Sequence, residues 1–111
     1  MFVINLHDGV SGLYKTYLID ENDDLNIKLS KFEKHIKEDL LVLYDNDFLE
    51  FRIEVIDTKT KDIRNIIWKS KKGFLEACSI EKYVRHLINR ETYQIWIVDY
   101  ANDESICKFA D

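Results

Sequence analysis

The chain contains few of the residues that build phosphate loops, disulfide frameworks or metal sites. Its three glycines leave no glycine-rich loop of the kind that binds phosphate groups. Cys78 and Cys107 are too few for a disulfide framework and have no metal-ligand spacing, so we expect both to be reduced. The three histidines have no cysteine or second histidine at ligand spacing either. The sequence therefore predicts no metal and no cofactor.

Long hydrophobic runs and proline are also missing. The longest apolar runs are short, such as residues 95–98, which excludes a transmembrane helix. Residues 1–30 lack the pattern of a signal peptide. The absence of proline, beside many isoleucine, lysine, asparagine and aspartate residues, is typical of an AT-rich bacterial or phage genome. We therefore expect a cytoplasmic protein of a bacterial or phage-infected host cell, with no membrane partner.

What the chain does contain is an internal repeat. Residues 2–8, 51–57 and 93–99 each follow the pattern aromatic-x-Ile-x-aliphatic-x-Asp, and residues 32–37 match residues 80–85 without a gap. The first three segments have the alternation of strands, and the last two have the spacing of amphipathic helices. Such a repeat constrains the architecture, although it names no activity.

The repeat predicts the order ββα-ββα-ββ in a single α+β domain over residues 1–111. A chain of 111 residues that is 46% hydrophobic can bury one core without disulfides or metals. We expect an antiparallel sheet of about six strands with two helices on one face. A ferredoxin-like βαββαβ order, taken across the middle of the chain, is the alternative. Ser30-x-x-Glu33 predicts a capping box for the first helix, and Asn89 predicts the end of the second.

Strand alternation predicts which side chains form the core. Residues of one parity share the large apolar side chains of all three repeated strands, and we expect them to face the helices. They are Phe2, Ile4, Leu6, Phe51, Ile53, Val55, Tyr93, Ile95 and Ile97. In the first two hairpins the other parity is mixed and polar, as expected for a solvated face; its residues are Val3, Asn5, His7, Arg52, Glu54 and Ile56.

The opposite face of the third hairpin is then predicted to be an exposed aromatic stripe. Trp96, Val98 and Tyr100 have the other parity, and Trp68 and Ile66 on the fourth strand are expected to join them. Because tryptophan and tyrosine are enriched at binding hot spots and an exposed apolar patch usually marks a partner site, these residues are the first binding candidates. Two alternatives remain: a loop covers the stripe and makes it core, or a second copy covers it and makes it a homodimer seam.

The net charge of −5 conceals a segregation along the chain. Residues 1–57 carry 13 acids and 6 bases, residues 58–90 carry 3 acids and 9 bases, and residues 91–111 carry 5 acids and 1 base. A mostly acidic surface favours a partner with a basic surface and makes direct nucleic-acid binding unfavourable.

Acidic loops supply the second group of binding candidates. Asp23 and Asp24 lie in the acidic loop of residues 20–24, and Asp103 and Glu104 lie in the last hairpin turn. Together they would present a phosphate-like array to a nucleic-acid-binding protein. The preferred interpretation of the loop itself is an acidic entry into the first helix, whose N-terminus favours negative charge.

The basic hairpin of residues 59–72 supports a different function. Its lysines and Arg64 surround Trp68, and basic residues beside an aromatic side chain can hold single-stranded nucleic acid. Lysines that discourage edge-to-edge strand pairing are the plainer interpretation.

Two further sets of residues keep an enzyme among the alternatives. Asp8, Asp57 and Asp99 end the three repeated strands and would share one sheet edge if those strands ran the same way. His7 is next to Asp8, which could orient its imidazole as a general base. Aspartates that start turns are the commoner case, and no nucleophile motif accompanies them.

Taken together, the sequence predicts a non-catalytic acidic protein-binding domain. The expected type is an inhibitor or immunity protein, similar in size and charge to anti-CRISPR or toxin-immunity proteins, that blocks a basic, nucleic-acid-handling partner. The alternative is a small nucleic-acid-binding module that uses the basic hairpin. A homodimer is compatible with either.

Overall fold

A computed structural model describes residues 1–9, 12–44, 47–77, 79–92, 94–99 and 106–110. Tyr100, Asp103 and Glu104, three of the predicted binding residues, lie outside these ranges. The elements in chain order are β1 (Phe2–Asp8), β2 (Gly12–Ile19), α1 (Leu25–Leu43), β3 (Phe48–Asp57), β4 (Ile63–Lys71), α2 (Lys72–Ala77), α3 (Ile80–Ile88), β5 (Ile95–Asp99) and β6 (Ile106–Ala110).

The strands form a mixed sheet, which confirms the α+β class but not the antiparallel arrangement. The strand order is β2-β1-β3-β4-β5, and β6 pairs with the outer side of β5. β4 and β5 are parallel, whereas the other neighbours are antiparallel. The prediction of an antiparallel sheet is wrong at this pair because α2 and α3 carry the chain back along β4 before β5 begins.

The two specific topologies expected from the sequence do not fit the sheet. A ferredoxin-like order would place β2 beside β4, but β1 and β3 lie between them. The internal repeat is not confirmed either, since α1 has 19 residues and α3 only 9. The core-facing positions of β5 are also offset by one residue from those of β1 and β3.

The first helix begins earlier than the capping box predicted. The Asp24 side chain accepts hydrogen bonds from the backbone N–H groups of Asn26 and Ile27, at 3.0 and 3.2 Å, and so caps α1. Ser30 lies inside the helix, so the predicted box is wrong and the acidic-entry interpretation of the loop is correct. The buried stripe of α1 consists of Leu29, Phe32, Ile36 and Leu40.

The last helix ends where the sequence predicts. Ser79 caps its start, and Asn89 is the C-cap. Arg90 follows in the left-handed region with φ 57°, and the N–H groups of Arg90 and Glu91 close the helix end by bonding to the carbonyls of Leu87 and His86. Within the described ranges, no helix is long and apolar enough to cross a membrane.

The core lies between the sheet and the helices. Ile4, Leu6, Phe51, Ile53 and Val55 are buried there, as predicted. On β5 the prediction is wrong: Trp96 and Val98 face the helices, and Ile95 and Ile97 lie on the other face and are half-buried. The parallel register fixes this choice, because it places Trp96 opposite the buried Ile66 and Val98 opposite the buried Trp68. Tyr93 lies outside the described residues.

Candidate functional site

In the described part of the chain, the predicted aromatic stripe belongs to the core and is not exposed. Trp68 and Val98 have no exposed surface, and only 8% of Trp96 is exposed. Trp68 stacks on Phe51 at 5.8 Å between ring centroids, and Tyr83 of α3 packs against both tryptophans. The indole N–H of Trp68 donates to Ser70 Oγ at 2.7 Å, so its polar atom is also satisfied inside the protein. These three residues stabilise the fold and are not accessible to a partner.

Asp23 and Asp24 have local structural roles. Asp24 caps α1, as described above. Asp23 accepts a hydrogen bond from the backbone N–H of Asp20 at 2.7 Å and lies 3.6 Å from the Lys28 ammonium. Their partly exposed carboxylates still contribute to the acidic surface, but their positions are explained by the helix entry.

The basic hairpin lacks a stacking platform because Trp68 is buried. Lys59 forms an ion pair with Glu21, and Arg64 donates to the Asp62 carboxylate at 2.7 Å. Lys69 Nζ lies 3.9 Å from Glu50. Several positive charges of the basic hairpin are therefore already paired with acidic side chains of the same chain.

The aspartates do not gather at one edge. β1 and β3 are antiparallel, with Asp8 opposite Phe51 and Asp57 opposite Phe2, so these two carboxylates lie at opposite ends of the sheet. Asp57 accepts from the backbone N–H of Lys59 at 3.0 Å, which is the turn role of an aspartate.

His7 is likewise not oriented by its neighbour Asp8. Asp8 instead accepts a hydrogen bond from the Tyr44 hydroxyl at 2.7 Å. Burial, together with this bond to Asp8, raises the pKa of Tyr44 far above its usual range, so the hydroxyl remains a protonated donor. His7 Nε2 lies 3.6 Å from Glu54 Oε1 on the neighbouring strand.

The surface that the fold leaves available is the other side of the sheet, which we call the open face. The helices pack on the opposite side, and none of the described helices covers this one. Strand register arranges its side chains in three rows that cross the sheet. The apolar row is Leu18, Val3, Ile56 and Ile63; the polar row is Thr16, Asn5, Glu54 and Asn65; the mixed row is His7, Arg52, Ile67 and Ile97.

A hydrogen-bond network runs along the polar row and spans four strands. The Thr16 hydroxyl donates to Asn5 Oδ1 at 2.8 Å, and the Asn5 amide donates to Glu54 Oε1 at 2.9 Å. Arg52 Nη1 donates to Asn65 Oδ1 at 2.7 Å and to Glu54 Oε2 at 3.4 Å. Each side chain of the network is thereby fixed by a neighbour on an adjacent strand or on its own strand.

Glu54 is the centre of this network. Its partial burial acts to raise its pKa, but the hydrogen bond from Asn5, the Arg52 guanidinium and the nearby His7 outweigh burial and hold the pKa below its ordinary value. Glu54 is therefore a satisfied carboxylate at neutral pH, and it lacks the raised pKa expected of a general base.

Apolar side chains flank the network on both sides. Leu18 and Ile63, at the ends of the apolar row, are 56% and 46% exposed. Ile67 and Ile97 are half-buried neighbours in the mixed row. Exposed apolar side chains beside fixed polar groups offer a protein partner an apolar contact surface.

Sequence reasoning found part of the open face and missed the rest. It assigned Val3, Asn5 and His7, together with the face of β3 that carries Arg52 and Glu54, to the solvent side. It missed Ile67 on β4 and Ile97 on β5, because residues 66–68 and 95–98 are apolar on both faces and alternation alone cannot determine which face is buried.

Among the residues that the structure describes, no group of three or more His, Cys, Asp or Glu could hold a metal ion. Comparison of the chain with protein-family models, with curated proteins and with solved structures found no match.

Proposed function

We propose that the chain is a non-catalytic protein-binding domain that contacts its partner through the open face. The observation that carries this proposal is a sheet face with apolar side chains on both sides of a fixed polar network and no described helix covering it. Apolar patches of this kind mark interaction sites more often than scattered exposed residues do. Side chains that are already fixed lose less conformational entropy when a partner binds.

The proposed partner is a protein with a basic surface, and the proposed role is that of an inhibitor or immunity protein for a nucleic-acid-handling target. The support is the net charge of −5, which attracts basic partners over long distances. The open face itself pairs Arg52 with Glu54, so it would supply contact and specificity, while the rest of the molecule supplies attraction.

Capture from a nuclease-treated lysate of the encoding cell, or of its host, tests this proposal. The bait is the whole chain, and the test variant is Ile67→Gln combined with Ile97→Gln. The matched control is Ile27→Gln combined with Val42→Gln, because these two residues are exposed on α1, away from the open face.

We expect one protein to be captured by the wild-type chain and by the control, with the test variant binding it at least about tenfold more weakly. Denaturation curves must first show that both variants are folded. Equal capture by all three baits, or capture that disappears with nuclease, would overturn the proposal.

A further inference from the structure

The outer edge of β2 is a sheet edge with little protection. β2 pairs only with β1 among the described strands, so its outer backbone groups are available for pairing. Proteins commonly protect such edges with charges, proline or bulges. The only charged residue of β2 is Lys15, and its ammonium is turned onto α1, 3.3 Å from Asp39 Oδ2. The bulge of the hairpin falls at Tyr14, which leaves the stretch from Lys15 to Ile19 regularly paired.

A groove lies beside this regular stretch, between β2 and α1. Its volume is about 390 Å³, within the range of about 300–1,000 Å³ that is usual for ligand pockets. Ile4, Ile19 and Phe32 give it an apolar floor, and Tyr17 packs edge-on against Phe32 at 4.9 Å. Side chains of an added strand would point alternately into this groove and away from it.

The charge of the groove is opposite to that of the chain as a whole. Lys28, Lys31 and His35 of α1 line it, and no acidic side chain does. Lys31 makes no ion pair with any described residue. Lys28 lies 3.6 Å from Asp23, so Lys31 is the lysine of the groove that a carboxylate of a ligand would meet, above an apolar floor.

We propose that an extended acidic segment of a partner protein adds to the outer edge of β2 as a further strand. The main chain of this segment would pair with residues 15–19, and every second side chain would enter the groove lined by Lys28 and Lys31. A second copy of this chain fits less well, because its β2 would bring Lys15 and no acid to a groove that is already basic. The groove lies on the helix side of the sheet edge, although Thr16 and Leu18 at its border also belong to the open face. The proposal goes beyond the proposed function, and its test can fail independently because it depends on Lys31 of α1 and not on Ile67 or Ile97.

Two labelled heptapeptides provide the probe for this site. One alternates glutamate with valine, and the other alternates lysine with valine. The variants are Lys31→Glu and Lys34→Glu, which change the net charge equally on the same helix, whereas only Lys31 lines the groove.

We expect saturable binding of the acidic peptide and none of the basic peptide, measured by fluorescence anisotropy. Lys31→Glu should weaken binding about three- to fivefold relative to both the wild type and Lys34→Glu, as expected for one ion pair at a rim. In amide NMR spectra, the signals of residues 15–19 should shift on addition of the acidic peptide.

Three results would overturn the proposal. The first is no binding of the acidic peptide, and the second is equal weakening by both variants, which would indicate non-specific attraction. The third is self-association of the free chain through residues 15–19, seen by sedimentation and NMR, which would make this edge a homodimer interface.

Discussion

At the residue scale, the direction in which each β5 side chain points determines which surface a partner meets. Val98 lies in the core beside Trp68, and the adjacent Ile97 lies on the open face. Substitution of Val98 should therefore affect stability, and substitution of Ile97 should affect binding, although both side chains are aliphatic.

The pair Val98→Thr and Ile97→Thr tests this assignment. Both variants keep a β-branched side chain, so strand propensity changes little. Val98→Thr would bury a hydroxyl with no obvious partner and should lower the free energy of unfolding by about 1–3 kcal/mol. Ile97→Thr should lower it by less than about 1 kcal/mol, because its hydroxyl can reach water.

Urea denaturation of the two variants gives the comparison. The reverse order, with Ile97→Thr the more damaging, would mean that β5 faces the other way and that Trp96 lies on the open face.

The same residues show how far the sequence could be interpreted. On β1 and β3 one parity is apolar and the other carries Asn5, Arg52 and Glu54, so alternation identified the core and the solvent face. On β5 both parities are apolar, and the internal repeat suggested the wrong one. Only the register with β4 places Trp96 against α3.

At the element scale, the start of α1 depends on Asp24 and not on Ser30. The Asp24 side chain accepts two hydrogen bonds from the first turn. Asp24→Ala should therefore lower the free energy of unfolding by about 1 kcal/mol. Ser30→Ala should change it by less than about 0.5 kcal/mol, because residue 30 is exposed inside the helix and alanine favours helices.

Thermal or urea unfolding measures both changes. A larger loss for Ser30→Ala than for Asp24→Ala would contradict the assigned helix start and restore the capping box.

The connections between elements explain why the topology was harder to predict than the elements. Two crossovers join parallel strands: α1 connects β2 to β3, and α2 with α3 connects β4 to β5. Both crossovers move the chain toward the same edge of the sheet, but β2 and β4 run in opposite directions. Because both place their helices on one face, the two crossovers must have opposite hands. Left-handed crossovers make up only about 2% of such connections, so general rules favour another arrangement.

At the scale of the whole molecule, the polar network links stability to pH. The pKa of Glu54 is lower in the folded protein than its ordinary value, so the unfolded chain takes up a proton first as the pH falls. The stability that the ionised Glu54 contributes is present above its unfolded pKa and is lost as the pH falls through its folded pKa.

Glu54→Gln should therefore reduce the loss of stability between about pH 6 and about pH 3, where carboxylates titrate. Urea unfolding of the wild type and the variant at several pH values measures the two slopes. Identical slopes would show that Glu54 is not held by the network, whatever the absolute stabilities are.

Charge and shape have separate roles at this scale. The net charge of −5 is spread over a molecule whose open face holds a paired Arg52 and Glu54. Composition predicted the acidic character, but which side of the sheet is left uncovered depends on long-range pairing. The residues at 96 and 98, proposed from sequence as anchors, illustrate this limit because they are buried.

The most direct test of the central claim is hydroxyl-radical footprinting of the chain, free and bound to its captured partner. We expect Ile67 and Ile97 to be modified in the free chain and protected in the complex, with Val42 modified equally in both and Trp96 protected in both. Modification of Trp96 in the free chain, or protection of Val42 in place of Ile67 and Ile97, would contradict the assignment of the open face as the binding surface.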